Sequence, residues 1–173
     1  MVKIFWSLII LFFIIGCGYK PTTHYTKEVL GEHIHVDVSI SRKDPKNSVL
    51  IKDAVNESVI TRLGGKLSSK ETADSELFVK IGSISFSPIL YNAQGYVTSY
   101  KTTVSLKIKY TTKKDAKSES FSTTGEYDFP IVEKKDGTTN SVISDSKRFE
   151  AIKLASLDAL NEFVSRIAIK GMK

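Results

Sequence analysis

The chain has 173 residues, of which 41% are hydrophobic and 25% are charged, and its net charge is +6. This length and composition describe one globular domain with a hydrophobic core, and they exclude a disordered, collagenous or multi-domain chain. The one cysteine excludes an internal disulfide and a cysteine-rich zinc or iron–sulfur site.

The first 16 residues have the pattern of a secretory signal. Lys3 precedes an apolar run over residues 4–15, which only Ser7 interrupts. The run has the length of a signal h-region and is shorter than the roughly 20 residues of a membrane span. It ends in Ile-Ile-Gly-Cys at residues 14–17, which resembles the bacterial lipobox. We therefore predict a cleaved lipoprotein signal peptide.

Cys17 is the predicted lipid attachment point and the first residue of the mature chain. The alternative is a short N-terminal anchor helix with an incidental cysteine. Each buried CH₂ group contributes about 0.8 kcal/mol, so two or three acyl chains anchor a protein effectively permanently. Gly18, in place of an aspartate, fits delivery to the outer membrane, on its periplasmic face. Loss of residues 1–16 leaves a net charge of +5, which suits phosphorylated lipids, acidic proteins or glycans rather than nucleic acid.

The N-terminal half of the mature chain shows a tether, a strand and a helix. Residues 17–32 have no regular apolar period and are predicted to be the lipidated N-terminus and tether. Apolar and polar side chains alternate over residues 34–40, which predicts a half-buried strand. Apolar spacings of three and four predict a helix over about 48–64. Its buried stripe consists of Ile51, Ala54, Val55, Val59 and Leu63.

Three long strands are predicted within residues 76–132. The alternation in the first of them changes phase near Gly82 and Ser83, which predicts a β-bulge, because a one-residue slip turns every side chain to the other face. Residues 92–95 and 113–117 have the composition of hairpin loops. Residues 134–140 are predicted to form a further loop.

A long amphipathic helix over about 144–169 is the last predicted element. Its apolar stripe consists of Phe149, Ile152, Ala155, Ala159, Leu160, Phe163 and Ile167. The element order β-α-β-β-β-α predicts an α+β two-layer sandwich, with a four-stranded mixed sheet and two helices on one face. The globular domain is assigned to residues 33–171.

The sequence contains little that indicates catalysis. His33, His35 and Asp37 alternate on the polar face of the first strand and are candidates for metal ligands, although a solvated strand face explains the same pattern. Nucleophile elbows, phosphate loops and dinucleotide fingerprints are missing from the sequence. We therefore expect a protein that is not an enzyme and that uses no metal or cofactor.

Candidate binding residues lie in the loops. Lys113, Lys114 and Lys117 in one hairpin, with Lys134 and Lys135 in the next loop, form a candidate site for phosphates. Ordinary solubilising turns explain the same lysines. Three tyrosines around the other hairpin are either interface aromatics or edge-strand residues; they are Tyr91, Tyr96 and Tyr100.

Several segments together resemble one family. They are the Cys-Gly-Tyr sequence at residues 17–19, the strand at 33–41, the helix containing Asn-Ser-Val-Leu at 47–50, the β-meander and the long last helix. This arrangement resembles the lipopolysaccharide-assembly lipoproteins of the LptE family. The segment over residues 140–152 is similar to the divergent branch of that family in epsilonproteobacteria.

The resemblance implies an outer-membrane lipoprotein that inserts its domain into the lumen of the large β-barrel LptD. Such proteins assist the folding of the barrel and the delivery of lipopolysaccharide to the outer leaflet. The family is also reported to bind lipopolysaccharide through basic residues. The alternative is a free-standing, periplasm-facing lipoprotein that binds peptidoglycan or a secretion or assembly component.

Overall fold

A computed structural model describes residues 20–39, 45–131 and 143–172. The described residues form three helices and five strands in the following order along the chain: α1 (Thr22–Leu30), β1 (His33–Val38), α2 (Pro45–Thr61), β2 (Lys66–Leu67), β3 (Ser75–Tyr91), β4 (Val97–Thr112), β5 (Ser118–Pro130) and α3 (Asp145–Gly171). Cys17 and the loop over residues 134–140 lie outside the described residues.

The five strands form one mixed sheet in the order β2-β1-β3-β4-β5. β1 is parallel to both of its neighbours, whereas β3, β4 and β5 are antiparallel. The prediction of a mixed α+β sheet is confirmed, and the prediction of four strands is wrong. The missed strand, β2, has only two residues, which is too short to produce an alternating pattern.

The prediction of two helices is also wrong, because Thr22–Leu30 of the predicted tether forms α1. Its packing explains why the sequence pattern failed. Thr26 is buried, and its hydroxyl donates a hydrogen bond to the carbonyl of Leu63 at 3.0 Å. A polar residue thus occupies the helix face that points into the domain, so the apolar period that marks a helix is missing.

The core lies between the sheet and the helices, as the apolar stripes predict. The stripe of α2 is completely buried, and so is that of α3 apart from Phe149, which is half-buried. The facing side chains of the sheet include Ile34, Val38, Leu77, Val79, Val104, Leu106, Ile108 and Tyr110. We call the opposite side of the sheet the open face, since it contains exposed polar residues and, among the described elements, no helix.

The predicted bulge and both predicted hairpins are present. The pairing register of β3 shifts between Ile81 and Ser83, and this shift lets Ile84 return to the core side. The first hairpin closes through a bond from the Asn92 amide to the Tyr96 carbonyl at 2.9 Å, and Gly95 has a φ of +82°. The same two strands therefore extend well beyond the bulge while keeping one apolar face.

Candidate binding surfaces

The turn between β4 and β5 contains a lysine that is already hydrogen-bonded. The Lys113 ammonium donates to the backbone carbonyls of Lys70 and Glu71, at 2.5 and 3.1 Å. Its backbone N–H donates to the Asp74 carbonyl at 2.9 Å. Because an ammonium has three N–H donors, Lys113 has one left for a ligand.

The other predicted phosphate-binding lysines are not held in this way. Lys114 and Lys117 are exposed, and their ammonium groups make no hydrogen bond or ion pair with any described residue. Lys134 and Lys135 lie outside the described residues. Among the described residues of this predicted site, the ammonium groups of Lys114 and Lys117 are fully available to a ligand, and that of Lys113 has one N–H left.

A cleft of about 960 Å³ runs beside this turn. Lys27 and Lys114 line it, but so do the carboxylates of Asp74 and Asp115. Because neighbouring opposite charges reduce each other's electrostatic field, the cleft attracts a phosphate less strongly than its lysines alone would.

Asp74 joins the cleft wall to the beginning of β1. Its carboxylate accepts hydrogen bonds from the backbone amides of Glu32 and His33, at 3.0 and 2.8 Å. The bond from the His33 amide holds the pKa of Asp74 below its ordinary value. Gly31 allows this contact, since its φ is +79° and a Cβ there would lie 2.4 Å from the Asp74 Cβ. Asp74 thus has a structural role, since its carboxylate holds the beginning of β1 against the cleft wall, and we call this contact the latch.

His33, His35 and Asp37 project from β1 on the open face. His35 Nδ1 lies 3.0 Å from the Ser68 carbonyl, which favours the tautomer that has its proton on Nδ1. Across the parts of the chain that the structure describes, no group of three His, Cys, Asp or Glu side chains is placed to hold a metal ion. The structure therefore does not assemble these three residues into a metal site.

Three further lysines lie together on the open face, and we call them the lysine triad: Lys80 on β3, with Lys107 and Lys109 on β4. Lys80 pairs directly with Lys107, and Phe78 pairs with Lys109. The sequence places Lys107 and Lys109 on one face of a strand. It does not show that Lys80 lies beside them, because this requires the register between two strands.

The outer edge of β5 is protected by α3. The backbone amides of Thr124 and Glu126 point away from β4 and donate to the carboxylates of Glu162 and Asp158, at 3.3 and 3.0 Å. Pro130 occupies a later position of the same alternation and has no N–H to expose. Helical carboxylates and a proline are both recognised ways of blocking strand addition at a sheet edge.

The hairpin between β3 and β4 presents an apolar tip. Leu90, Tyr91 and Tyr96 are exposed there, and the Asn92 side chain fixes the turn by accepting from the amides of Gln94 and Tyr96. Tyr100 is different, because its ring stacks on Phe129 with 6.1 Å between the ring centroids. Two of the three predicted tyrosines are therefore available for contact.

None of the helices in the described ranges is long and apolar enough to cross a membrane.

Solved structures of bacterial lipoproteins have the same fold. A putative lipoprotein from Caulobacter crescentus CB15 superposes with a TM-score of 0.52 at 9% identity, over 88% of this chain and 97% of that chain. Rare lipoprotein B from Shewanella oneidensis superposes with a TM-score of 0.50 at 12% identity, over 82% of this chain and 97% of that chain. The protein therefore belongs to the class of small α+β domains that share the fold of these lipoproteins.

The sequence narrows this class to one family. The family model described as LptE, lipopolysaccharide-assembly, matches residues 35–167. The chain belongs to this family, which confirms the resemblance identified from its motifs. A comparison with curated proteins finds no match.

Proposed function

We propose that this protein is an outer-membrane lipoprotein, acylated at Cys17, that binds and plugs an LptD-type β-barrel. In this role it assists the assembly of lipopolysaccharide and its transport to the outer leaflet. It acts as a binding protein, without catalysis and without a cofactor. The observation that carries the proposal is the family match over residues 35–167, which spans α2 and β2 to β5 completely and most of β1 and α3.

The surface of the domain supports a plug that docks through its side chains. The lumen of a wide outer-membrane barrel is polar, and the open face presents lysine, serine and threonine side chains along β4 and β5. The protected edge of β5 argues against insertion of this sheet into the wall of the barrel. A compact body with a polar surface and a blocked edge fits a lumen better than it fits a strand-adding partner.

Direct contact with lipopolysaccharide belongs to the same proposal. The predicted contact residues are Lys113, Lys114, Lys117, Lys134 and Lys135. Ammonium groups bind phosphate through charge-assisted hydrogen bonds. The ammonium groups of Lys114 and Lys117 have no partner among the described residues, so they can make such bonds to a ligand.

Affinity purification in mild detergent, with mass spectrometry, tests the barrel partner. The tagged protein is expected to copurify with a large outer-membrane β-barrel, and its depletion is expected to lower surface lipopolysaccharide. Copurification with peptidoglycan or a secretion component, with unchanged surface lipopolysaccharide, would instead favour the free-standing lipoprotein.

Membrane fractionation tests the lipid anchor separately. Wild-type protein is expected in the outer-membrane fraction after alkaline washing and is expected to incorporate labelled palmitate. The Cys17→Ala variant is expected in the wash, without label. A Cys17→Ala variant that stays bound after the wash would contradict lipidation at this residue.

A further inference from the structure

We propose that the open face contains a phosphate-binding site for a phosphorylated lipid, formed by the lysine triad with Phe78 beside it. The identity of the lipid, lipopolysaccharide, rests on the proposed function. The phosphate chemistry rests on the positions of Lys80, Lys107 and Lys109 alone. The site lies on the strands and is separate from the predicted lysines of the β4–β5 turn.

The first argument is the direct pairing of like charges. Lys80 and Lys107 face each other across β3 and β4, and Cβ atoms of such partners lie about 5 Å apart. Two ammonium groups at this position repel each other and destabilise an isolated sheet. A bound anion would convert this repulsion into attraction.

The second argument is the lack of an internal counterion. In the described parts of the chain, no carboxylate lies within ion-pair distance of the lysine triad. Two acids of the same sheet have other partners: Glu76 pairs with Lys70 at 3.3 Å, and Glu126 pairs with Lys101 at 2.6 Å. Asp37, opposite Phe78 on β1, forms no ion pair with the triad.

The third argument concerns the size of the anion. Lys107 and Lys109 are two residues apart on one strand, which separates them by about 7 Å, and Lys80 lies across from Lys107. Three flexible ammonium groups can thus meet on one small group with several acceptor oxygens, which describes a phosphate. Carboxylates spread over the surface of an acidic protein would instead match cations spread over the open face.

The fourth argument is the apolar neighbour. Phe78 pairs with Lys109 and is 41% exposed. A shallow cleft of about 350 Å³ lies here, and its lining includes Phe78, the lysine triad and the hydroxyl residues Ser120 and Ser122. The ring and the lysine stems offer hydrocarbon next to the cations. A phosphate attached to a lipid matches both parts, whereas free phosphate uses only one.

Binding of purified full-length protein in non-ionic detergent tests the site, with three probes: lipopolysaccharide, enzymatically dephosphorylated lipopolysaccharide and inorganic phosphate. The variant Lys80→Gln/Lys107→Gln removes two charges from the triad. The matched control, Lys46→Gln/Lys52→Gln, removes two exposed charges from α2, which is part of neither proposed lysine site.

The triad variant is expected to lose about tenfold or more in affinity for lipopolysaccharide, and the α2 variant less than threefold. The affinity of wild-type protein for dephosphorylated lipopolysaccharide is expected to be as low as the affinity of the triad variant for intact lipopolysaccharide. Because the substitution relieves like-charge repulsion, the melting temperature of the triad variant is expected to equal or exceed that of wild type, which excludes a folding defect.

Several results would overturn the proposal. They are equal losses in the two variants, undiminished binding of the dephosphorylated probe, and binding of inorganic phosphate as tight as that of the lipid. Lost copurification of the barrel by the triad variant, with unchanged lipid binding, would assign the triad to an acidic protein surface. If wild-type protein binds the lipid but copurifies with no barrel, the proposed function is refuted, whereas the proposed phosphate-binding site still stands.

Discussion

Gly125 of β5 lies directly against the backbone of Ala155 in α3. A Cβ placed on Gly125 would be 2.1 Å from the carbonyl oxygen of Ala155 and 2.2 Å from the amide nitrogen of Ala159. Both contacts are with backbone atoms, which cannot turn aside as a side chain does. The absence of a side chain at this one position therefore sets how closely α3 approaches the edge strand.

A Gly125→Ala substitution is expected to lower the free energy of unfolding by about 3 kcal/mol, because even one added methyl group in a packed contact forces backbone shifts. Urea denaturation followed by circular dichroism measures the change. Gly95→Ala is the comparison, since a Cβ there meets nothing within 4 Å. It carries only the cost of a positive φ, about 1 kcal/mol. Equal losses in the two variants would show that α3 does not lie this close to β5.

The parts of the fold that could be predicted from sequence are those with long, regular burial patterns. The apolar stripe around Val55 and Val59 predicts an amphipathic helix, and the change of phase at Gly82 predicts a β-bulge. Both features are present. α1 and β2 could not be predicted. The buried residues of α1 are Thr26 and Leu30, only one of which is apolar, and β2 has two residues, so neither element shows a hydrophobic period.

The binding surfaces could be predicted only in part, because they depend on contacts between distant segments. The sequence shows a basic turn, but it does not show that Lys113 donates to carbonyls about forty residues away. It shows Lys107 on a polar face, but the neighbour Lys80 depends on strand register. Local patterns predict which face a lysine occupies, and the tertiary structure decides what it meets.

The latch formed by Asp74 predicts a dependence of stability on pH. The hydrogen bond from the His33 amide lowers the pKa of Asp74 in the folded protein. The charged latch therefore contributes its full stabilisation above the ordinary aspartate pKa, and this contribution is lost as the pH falls through the lowered value. Asp74→Asn is expected to be less stable than wild type at neutral pH, and the difference is expected to shrink in acid.

Urea unfolding of both proteins from neutral to acidic pH measures this effect. Asp115→Asn is the control, because Asp115 is an exposed turn carboxylate that holds no backbone amide of β1. A stability difference between wild type and Asp74→Asn that stays constant with pH would contradict the latch.

The contact between α1 and the segment that follows α2 predicts a loss of stability at Thr26. Thr26→Val keeps the size of the side chain but removes the hydroxyl that donates to the Leu63 carbonyl at 3.0 Å. The expected loss is about 1 kcal/mol, with faster hydrogen exchange in α1, because a buried carbonyl loses its donor. Thr22→Val, at an exposed position, is expected to change little. Unchanged exchange in Thr26→Val would show that α1 is held by other contacts.

The carboxylates of Asp158 and Glu162 predict the behaviour of the sheet edge. Both accept amides of β5 that would otherwise be available to another strand, and exposed edges of this kind promote self-association. The double variant Asp158→Ala/Glu162→Ala is expected to show concentration-dependent oligomers by light scattering after gel filtration.

Glu150→Ala is the control for the edge, because Glu150 is an exposed carboxylate of the same helix that pairs with Lys147 at 2.9 Å. This variant is expected to stay in the same oligomeric state as wild type. If the double variant does so as well, Pro130 and the packing of α3 against Gly125 are enough to close the edge. The two carboxylates then act on stability alone, which urea denaturation of the double variant would measure.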